Sequence, residues 1–225
     1  MIKISPSVNL VKNGNLKDYV LLMQESGADY LHCDVMDGEF VPTKCLTLED
    51  VSKLSYETLL PLDVHLMVSN PINVLKKYSK LRVFCLTTHF EAYSDDFDVL
   101  RAVEIVHKKG ILFGLSIKPG TRIERVFRFL PYIDMLLIMS VEPGKSGQSF
   151  QTKSLKRIEK TRAYLNRNKI SCKIEVDGGV NENNIQSIVN SGADIVAMAS
   201  SIYKQKNKKS FISKLKKIKV QTKRT

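Results

Sequence analysis

Eight short apolar runs, near residues 2–6, 30–35, 62–67, 83–89, 112–117, 135–141, 173–177 and 194–199, are spaced along the chain with mostly helical patterns between them. That alternation limits the fold more than any other feature. Strands separated by helices pair in parallel through crossover connections, and eight such units close into a barrel. An open doubly wound sheet is the alternative, but the Gly-x-Gly-x-x-Gly turn expected after an early strand is missing. At 225 residues the chain has the size of one such barrel, which commonly runs to about 250 residues. The expected fold is therefore α/β, a single (β/α)8 barrel of the TIM type. The helical segments end in ordinary stop signals: Leu16, Val20, Met23 and Gln24 precede Ser26-Gly27, and Ile185, Ile188 and Val189 precede Ser191-Gly192. The Ser-Gly-Ala-Asp of residues 26–29 recurs at 191–194, one helix-to-strand turn used twice.

Charge divides the chain. Of the formal net charge of +12, ten belong to residues 204–225, which hold nine lysines, Arg224 and no acid, and only two to residues 1–203. The expected organisation is a catalytic barrel over 1–203 and a Lys-rich C-terminal helix and tail, 204–225, closing the barrel. Phe211, Ile212, Leu215 and Ile218 recur at helical spacing, which makes the lysines the solvated face of an amphipathic helix. An RNA-binding or scaffolding barrel acting through this tail is the competing reading from a different class. It is disfavoured because no aromatic residues interleave with the lysines to stack bases. Hydrophobic content is 43%, with no apolar stretch near the roughly 18 residues of a membrane span. The N-terminus, Met1-Ile2-Lys3-Ile4-Ser5-Pro6, has neither a charged region followed by an apolar one nor a small-residue cleavage site. Cys33, Cys45, Cys85 and Cys172 are scattered, reading as reduced thiols rather than a disulfide frame or zinc knuckle. A cytoplasmic protein without membrane attachment is expected.

Three of the runs end in groups able to hold a metal ion. In Tyr30-Leu31-His32-Cys33-Asp34 the period-two alternation of a strand turns His32 and Asp34 the same way and Cys33 the other. His65 lies in Leu62-Asp63-Val64-His65-Leu66-Met67, and Asp177 closes Ile174-Glu175-Val176-Asp177. The active site of a closed barrel lies at the C-terminal ends of its strands, so His32, Asp34, His65 and Asp177 share one mouth. Two imidazoles and two carboxylates suit one divalent ion, Zn²⁺, Fe²⁺, Mn²⁺ or Co²⁺. Small residues follow the last three strands: Pro143-Gly144-Lys145-Ser146-Gly147-Gln148-Ser149, then Gly178-Gly179, then Ala199-Ser200-Ser201. Glycines let backbone N–H groups approach an anion, and loops after strands seven and eight are the usual phosphate site of this architecture. A sugar phosphate is the expected substrate.

At these residues the chain resembles the ribulose-phosphate 3-epimerase family. The likeness runs in order over about 200 residues, from Ile4-Ser5-Pro6-Ser7 through His32-Cys33-Asp34-Val35-Met36-Asp37-Gly38, Leu62-Asp63-Val64-His65-Leu66-Met67, His89-Phe90-Glu91-Ala92 and Ile117-Lys118-Pro119-Gly120 to Met139-Ser140-Val141-Glu142-Pro143-Gly144 and Glu175-Val176-Asp177-Gly178-Gly179-Val180. The resemblance implies interconversion of D-ribulose 5-phosphate and D-xylulose 5-phosphate in the pentose phosphate pathway, a metal held by His32, Asp34, His65 and Asp177, and a homo-oligomer, a dimer or larger. It implies that Asp34 and Asp177 transfer the protons, that Ser7 contacts substrate, and that Met36, Met67 and Met139 form a sulfur-lined cap over the reacting carbons. His65, Gly144, Lys145, Ser146, Gly147, Gly178, Gly179, Ala199 and Ser200 complete the expected substrate contacts. The chemistry is consistent: epimerisation at C3 removes a proton next to a carbonyl and returns one to the opposite face, so two acids must flank the substrate, and strands two and seven supply them from different sides of the mouth. D-Allulose 6-phosphate is the alternative substrate, since the same acids would serve and only pocket depth changes. A related barrel decarboxylase is disfavoured because the chain has no Asp-x-Lys-x-x-Asp array.

The pattern departs from the family at three places. Gly144-Lys145-Ser146-Gly147 stands for Gly-Phe-Gly-Gly, Ala199-Ser200 for Gly-Ser, and Thr43-Lys44-Cys45-Leu46-Thr47 for a stretch containing Asn-Ile-Thr. Phosphate binding is expected to persist, because a hydroxyl and a methyl are the only intrusions at the glycine positions. Plainer roles are expected for five further residues. Asp37 reads as a turn acid or a partner of a ligand, His89 and Glu91 as supporting groups, and Lys118 as part of a Lys-Pro-Gly turn. His107 reads as a surface residue of a helix.

Overall fold

The computed structural model describes residues 1–11, 16–145 and 147–221. Eight strands form one parallel sheet: β1 Lys3–Pro6, β2 Leu31–Met36, β3 Leu62–Met67, β4 Cys85–His89, β5 Leu112–Ile117, β6 Met135–Met139, β7 Lys173–Asp177 and β8 Ile195–Met198. Their order is β1-β8-β7-β6-β5-β4-β3-β2, so each strand lies beside its sequence neighbour and β1 returns to β8. The remaining gap, between β1 and β2, is spanned by a parallel bridge of Ser7 with His32, where Val8 N–H donates to the His32 carbonyl at 3.1 Å. The eight apolar runs are thus the eight strands of a (β/α)8 barrel. The first, fourth, sixth and eighth strands are shorter than their runs, the fourth beginning at Cys85 and the sixth ending at Met139.

Helices α1 Leu16–Glu25, α2 Leu48–Glu57, α3 Pro71–Tyr78, α4 Asp96–His107, α5 Lys153–Asn168, α6 Ile185–Asn190, α7 Ser200–Tyr203 and α8 Lys208–Lys216 flank the strands. Two 3₁₀ segments, Phe90–Ala92 and Ile123–Phe129, follow β4 and β5, the second standing where an α-helix would complete the unit. The helix starts are written locally. Thr47 and Asp50 form a reciprocal capping box on α2, and Asn70 caps α3 ahead of Pro71, whose missing N–H costs nothing in the first turn. Buried Leu, Ile and Val from the outer strand faces and inner helix faces form one continuous core between the two layers. Phe211, Ile212 and Leu215 of α8 belong to it, with Ile218 packed alongside. Helix α8 lies against α1, α7 and β1. Its Lys216 ammonium donates to the Gly27 carbonyl at 2.8 Å and to Asp29 at 3.1 Å. Lys12, which begins the stretch before α1, and Thr222–Thr225 lie outside the described residues.

The inside of the barrel is a separate space. Cys85, Met135 and Ile195 fill its floor, with Tyr30 and Phe84 packed on them. Above them the usual aliphatic layers of such a barrel give way to polar side chains: Ser5, His32, Asp63, Thr87 and Glu175 are all essentially inaccessible. A second polar tier, at the strand ends, is the site.

Candidate active site

Strand pairing in register sets the first contacts. Asp34 lies beside His65 across β2–β3, and Asp177 beside Met139 and Ala197 on its two neighbours. Side-by-side residues of a parallel sheet face the same way, so these groups converge on the barrel axis. One ligand atom from each of His32, Asp34, His65 and Asp177 lies within 4.8 Å of every other. Asp34 Oδ1 is 3.3 Å from His32 Nε2 and 3.2 Å from His65 Nδ1.

The far sides of the two rings fix which nitrogen is free. His32 Nδ1 lies 2.7 Å from Asp63 Oδ2, a carboxylate that can only accept there, so the ring proton sits on Nδ1. Ser5 donates to that same oxygen at 3.1 Å. Nε2 is then the nitrogen left to face an ion, completely buried and without a hydrogen-bond partner. For the other ring the order of donors starts further out. Burial pushes the His89 imidazole down to about 4 against a smaller upward pull from Glu91, so it is neutral. Its Nδ1–H faces Glu91 Oε2 at 3.3 Å, leaving Nε2 to accept from His65 Nε2–H at 2.9 Å. His65 Nδ1 thereby points its lone pair at Asp34. Burial raises the Glu91 carboxyl, but bonds from His89, Thr121 and the Lys118 N–H outweigh it and hold the group down to about 2.

An orphaned imidazole nitrogen and a second free one, both facing one carboxylate oxygen, fit a divalent cation. So does the outer ring of partners: a metal-bound histidine normally donates its other N–H to a carboxylate or comparable acceptor. The carboxylates differ in setting. Without an ion, burial lowers the His32 imidazole, but Asp63 and Asp34 on its two sides outweigh it and hold the ring well above its usual range. For Asp34 burial acts upward, and the charged His32 ring outweighs it and holds the carboxyl well below the carboxylate range. Asp177 is raised, by burial first and by Asp34 among its neighbours. Below them Glu175 is raised further by burial and by the adjacent Asp63, and neither of its oxygens has a hydrogen-bond partner.

Over this tier opens a cleft of about 570 Å³, counting the solvent at its mouth. Asp34 and Asp177 reach it from below, and Ser7, Met36, Met67 and Met139 line it. The opposite wall is the run of small residues after β6, β7 and β8: Gly144, Lys145 and Gly147, Gly178 and Gly179, Ala199 and Ser200. Helix α7 begins at Ser200, so its first N–H groups have no acceptor within the helix. Gly179 has φ +64, and a Cβ there would sit 2.8 Å from the Gln148 carbonyl, so only glycine lets the β7 loop lie against the β6 loop. Thr43 donates to the Gly144 carbonyl at 2.8 Å, tying the loop after β2 to the same wall. His65 does not line the cleft, its outer nitrogen being turned to His89, and Ser146 lies outside the described residues.

The residues given plainer roles fall as follows. Asp37 accepts from the N–H groups of Glu39, Phe40 and Ser69, a turn acid joining the loops after β2 and β3. His89 and Glu91 support His65. The Lys118 ammonium lies 4.0 Å over the Phe40 ring, which itself packs on His89, so it faces an aromatic lid of the relay and does not line the cleft. His107 is partly exposed and bonds Asp134 at 2.7 Å. Sequence reasoning passed over Asp63 and Glu175, although each stands two residues before a ligand in an apolar run and must face inward with it. It also passed over Asn9, for which the sequence carries no signal.

Comparison with known proteins agrees with the geometry. The profile described as "Ribulose-phosphate 3 epimerase family" matches residues 3–203. The chain is 37% identical over 190 residues to "Ribulose-phosphate 3-epimerase" of Aquifex aeolicus, covering 84% of each chain. It is 31% identical over 217 residues to the protein of the same name from Bacillus subtilis, covering 96% of this chain and 99% of that one. Among solved structures, phosphoribosyl anthranilate isomerase from Thermus thermophilus superposes with a TM-score of 0.67 at 13% identity, covering 96% of this chain and 98% of that one, a likeness of fold alone.

Proposed function

Since the chain belongs to the ribulose-phosphate 3-epimerase family, we propose that it interconverts D-ribulose 5-phosphate and D-xylulose 5-phosphate by exchanging the proton at C3 between Asp34 and Asp177. It is a metal-dependent isomerase acting on a sugar phosphate. The observation that carries the reading is the convergence of His32, Asp34, His65 and Asp177 beneath a cleft walled on one side by glycine-rich loops.

Asp34 and Asp177 reach the cleft from β2 and β7, so a substrate held between them presents opposite faces of C3 to the two carboxyls. One of the two carboxyls takes the proton from one epimer and the other supplies one to the opposite face; in the reverse direction the roles exchange. The Met36, Met67 and Met139 side chains cover the reacting carbons with apolar, polarisable surface and keep water from quenching the carbanion. A divalent ion, Zn²⁺, Fe²⁺, Mn²⁺ or Co²⁺, held by His32, Asp34, His65 and Asp177, would supply Lewis-acid stabilisation of the enediolate charge, each 1.36 kcal/mol of which is worth about tenfold in rate. Gly144, Lys145, Gly147, Gly178, Gly179, Ala199 and Ser200 hold the phosphate, and Ser7 orients the sugar.

Residues 1–203 form the catalytic barrel and 204–225 a Lys-rich C-terminal helix and tail closing the barrel, in a dimer or larger assembly working in the cytoplasm. Apolar side chains left exposed, Tyr56, Leu59 and Phe97 among them, support an assembly. No helix among the described residues is long and apolar enough to cross a membrane. The test is incubation of the metal-loaded protein with D-ribulose 5-phosphate in deuterated water, read by NMR, against a chelator-stripped control. Deuterium at C3 together with metal-dependent xylulose 5-phosphate is expected. A folded, metal-bound protein that leaves C3 unlabelled would sink the reading, and labelling of allulose 6-phosphate instead would move it to the six-carbon substrate.

A further inference from the structure

The two oxygens of Asp34 face different company. Oδ1 lies against the two free imidazole nitrogens, whereas Oδ2 receives the Asn9 side-chain amide at 3.2 Å and the Ser7 hydroxyl at 3.5 Å. Asn9 lines the cleft. Its amide has only one workable orientation. The Cys45 thiol donates to Asn9 Oδ1 at 2.6 Å, and turning the amide over would set its oxygen against a carboxylate oxygen. Burial pushes the Cys45 thiol up, so it remains an S–H donor. The backbone of Asn9 is fixed as well, its N–H donating to the Ser7 hydroxyl at 3.1 Å. Ser7, Asn9 and Cys45 thus form one bonded chain ending on a single oxygen of Asp34.

We propose that Asn9 is a positioning residue for the epimerisation: oriented by Cys45, its amide keeps Asp34 Oδ1 turned to the imidazoles and Oδ2 turned to C3 of the substrate, dividing one carboxylate between charge stabilisation and proton transfer. This rests on the assignment of Asp34 as one of the two proton-transferring acids. It gives the two faces of C3 unequal dependence on Asn9, because no bond of Asn9 reaches Asp177 among the described residues. A carboxylate free to rotate loses the near-attack geometry that proton transfer from carbon demands.

The variants are Asn9→Leu, which keeps the shape and removes both bonds, Cys45→Ala, and Cys45→Ser, which keeps a donor for the Asn9 oxygen. In Asn9→Leu, kcat is expected to fall about tenfold to 30-fold while KM and cobalt(II) affinity, measured by titration, stay within about threefold. The decisive readout is isotope partition in deuterated water. Starting from the epimer whose proton Asp177 removes, Asn9→Leu should label the unreacted substrate faster than it forms product, since return through Asp177 outpaces delivery by Asp34. Starting from the other epimer, no such excess label appears, and the primary isotope effect of C3-deuterated substrate on kcat/KM rises. Cys45→Ala should shift the partition the same way to a smaller extent, and Cys45→Ser should restore it. A merely structural loss would slow both directions with the wild-type partition. That outcome, or a collapse of cobalt affinity that accounts for the rate, overturns the proposal. Absence of C3 exchange in the wild-type protein, or full activity of Asp34→Asn, would overturn the reading of the site itself and this inference with it.

Discussion

Replacing Asp63 by Asn should weaken metal binding about tenfold, and the figure follows from two contacts. His32 Nδ1 and the Ser5 hydroxyl converge on the same Asp63 oxygen, at 2.7 and 3.1 Å. With two donors aimed at one point, the substituted amide turns its oxygen to them and its NH₂ away. The His32 tautomer is therefore kept and Nε2 stays available. What is lost is the charge on the acceptor. A hydrogen bond to a charged group contributes about 1.5–3 kcal/mol and a neutral one about 0.5–1.5, so the difference is about 1–1.5 kcal/mol, close to the 1.4 kcal/mol of a tenfold change. That lies at the low end of the 10–100-fold usually attached to the partner of a metal-bound histidine. Asp63→Leu, which removes the acceptor outright, should cost about 100-fold. The structure also predicts an interaction: in the Ser5→Ala/Asp63→Asn double variant only one donor holds the amide oxygen, the amide is free to flip, and its NH₂ then drives the His32 proton to Nε2. The double loss should exceed the sum of the single losses. Zinc or cobalt affinity measured by competition with a chromophoric chelator reads the wild type, the three single variants and the double variant. An Asp63→Asn affinity within twofold of wild type, or strictly additive losses, would refute the assignment of Asp63 as the group that fixes His32.

Asp177→Asn should fold normally and lose about 10²–10⁴ in kcat for C3 epimerisation, the usual contribution of one acid or base; near-normal turnover in a coupled assay would refute its role. Gly179→Ala introduces a Cβ 2.8 Å from the Gln148 carbonyl at φ +64, so the wall after β6 must shift, and KM for the sugar phosphate should rise at least about tenfold. A KM unchanged in that variant would remove the wall from the phosphate site. In the metal-free protein, His89 titrates near 4 rather than 6.5, so between those values the unfolded chain binds a proton that the native state does not. Its contribution is constant above about pH 6.5 and falls as pH drops toward about 4, by about 2 kcal/mol between pH 7 and 5. Urea unfolding at the two pH values should therefore show a shallower loss in His89→Gln, and equal slopes in the two proteins would contradict a neutral buried His89.

How much of this was legible in the chain depends on distance along the backbone. A strand sends alternate side chains to the same side, so the runs ending in His32 and Asp34, His65 and Asp177 carried the inward-facing groups in their spacing. The same rule, carried two residues further back, would have disclosed Asp63 and Glu175, which were passed over because a lone acid in an apolar run looks like an interruption of a strand. The glycines after β6 and β7 marked backbone that must approach something closely, and at Gly179 the something is the neighbouring loop as well as any ligand.

By itself, then, the sequence determined the eight alternating units, the parallel closure they require and the residues that face the axis, because these follow from local periodicity and from the steric rules of strand and helix. It could not determine which nitrogen of His65 is free, since that depends on His89 and Glu91 reaching it from another strand. Nor could it foresee that Asn9, in the loop after β1, and Cys45, in the loop after β2, would meet over Asp34. Such contacts join residues tens of positions apart through irregular backbone, where no periodicity operates. Only the closing of the barrel, which fixes how far each strand end projects and which loops lean together, decides them.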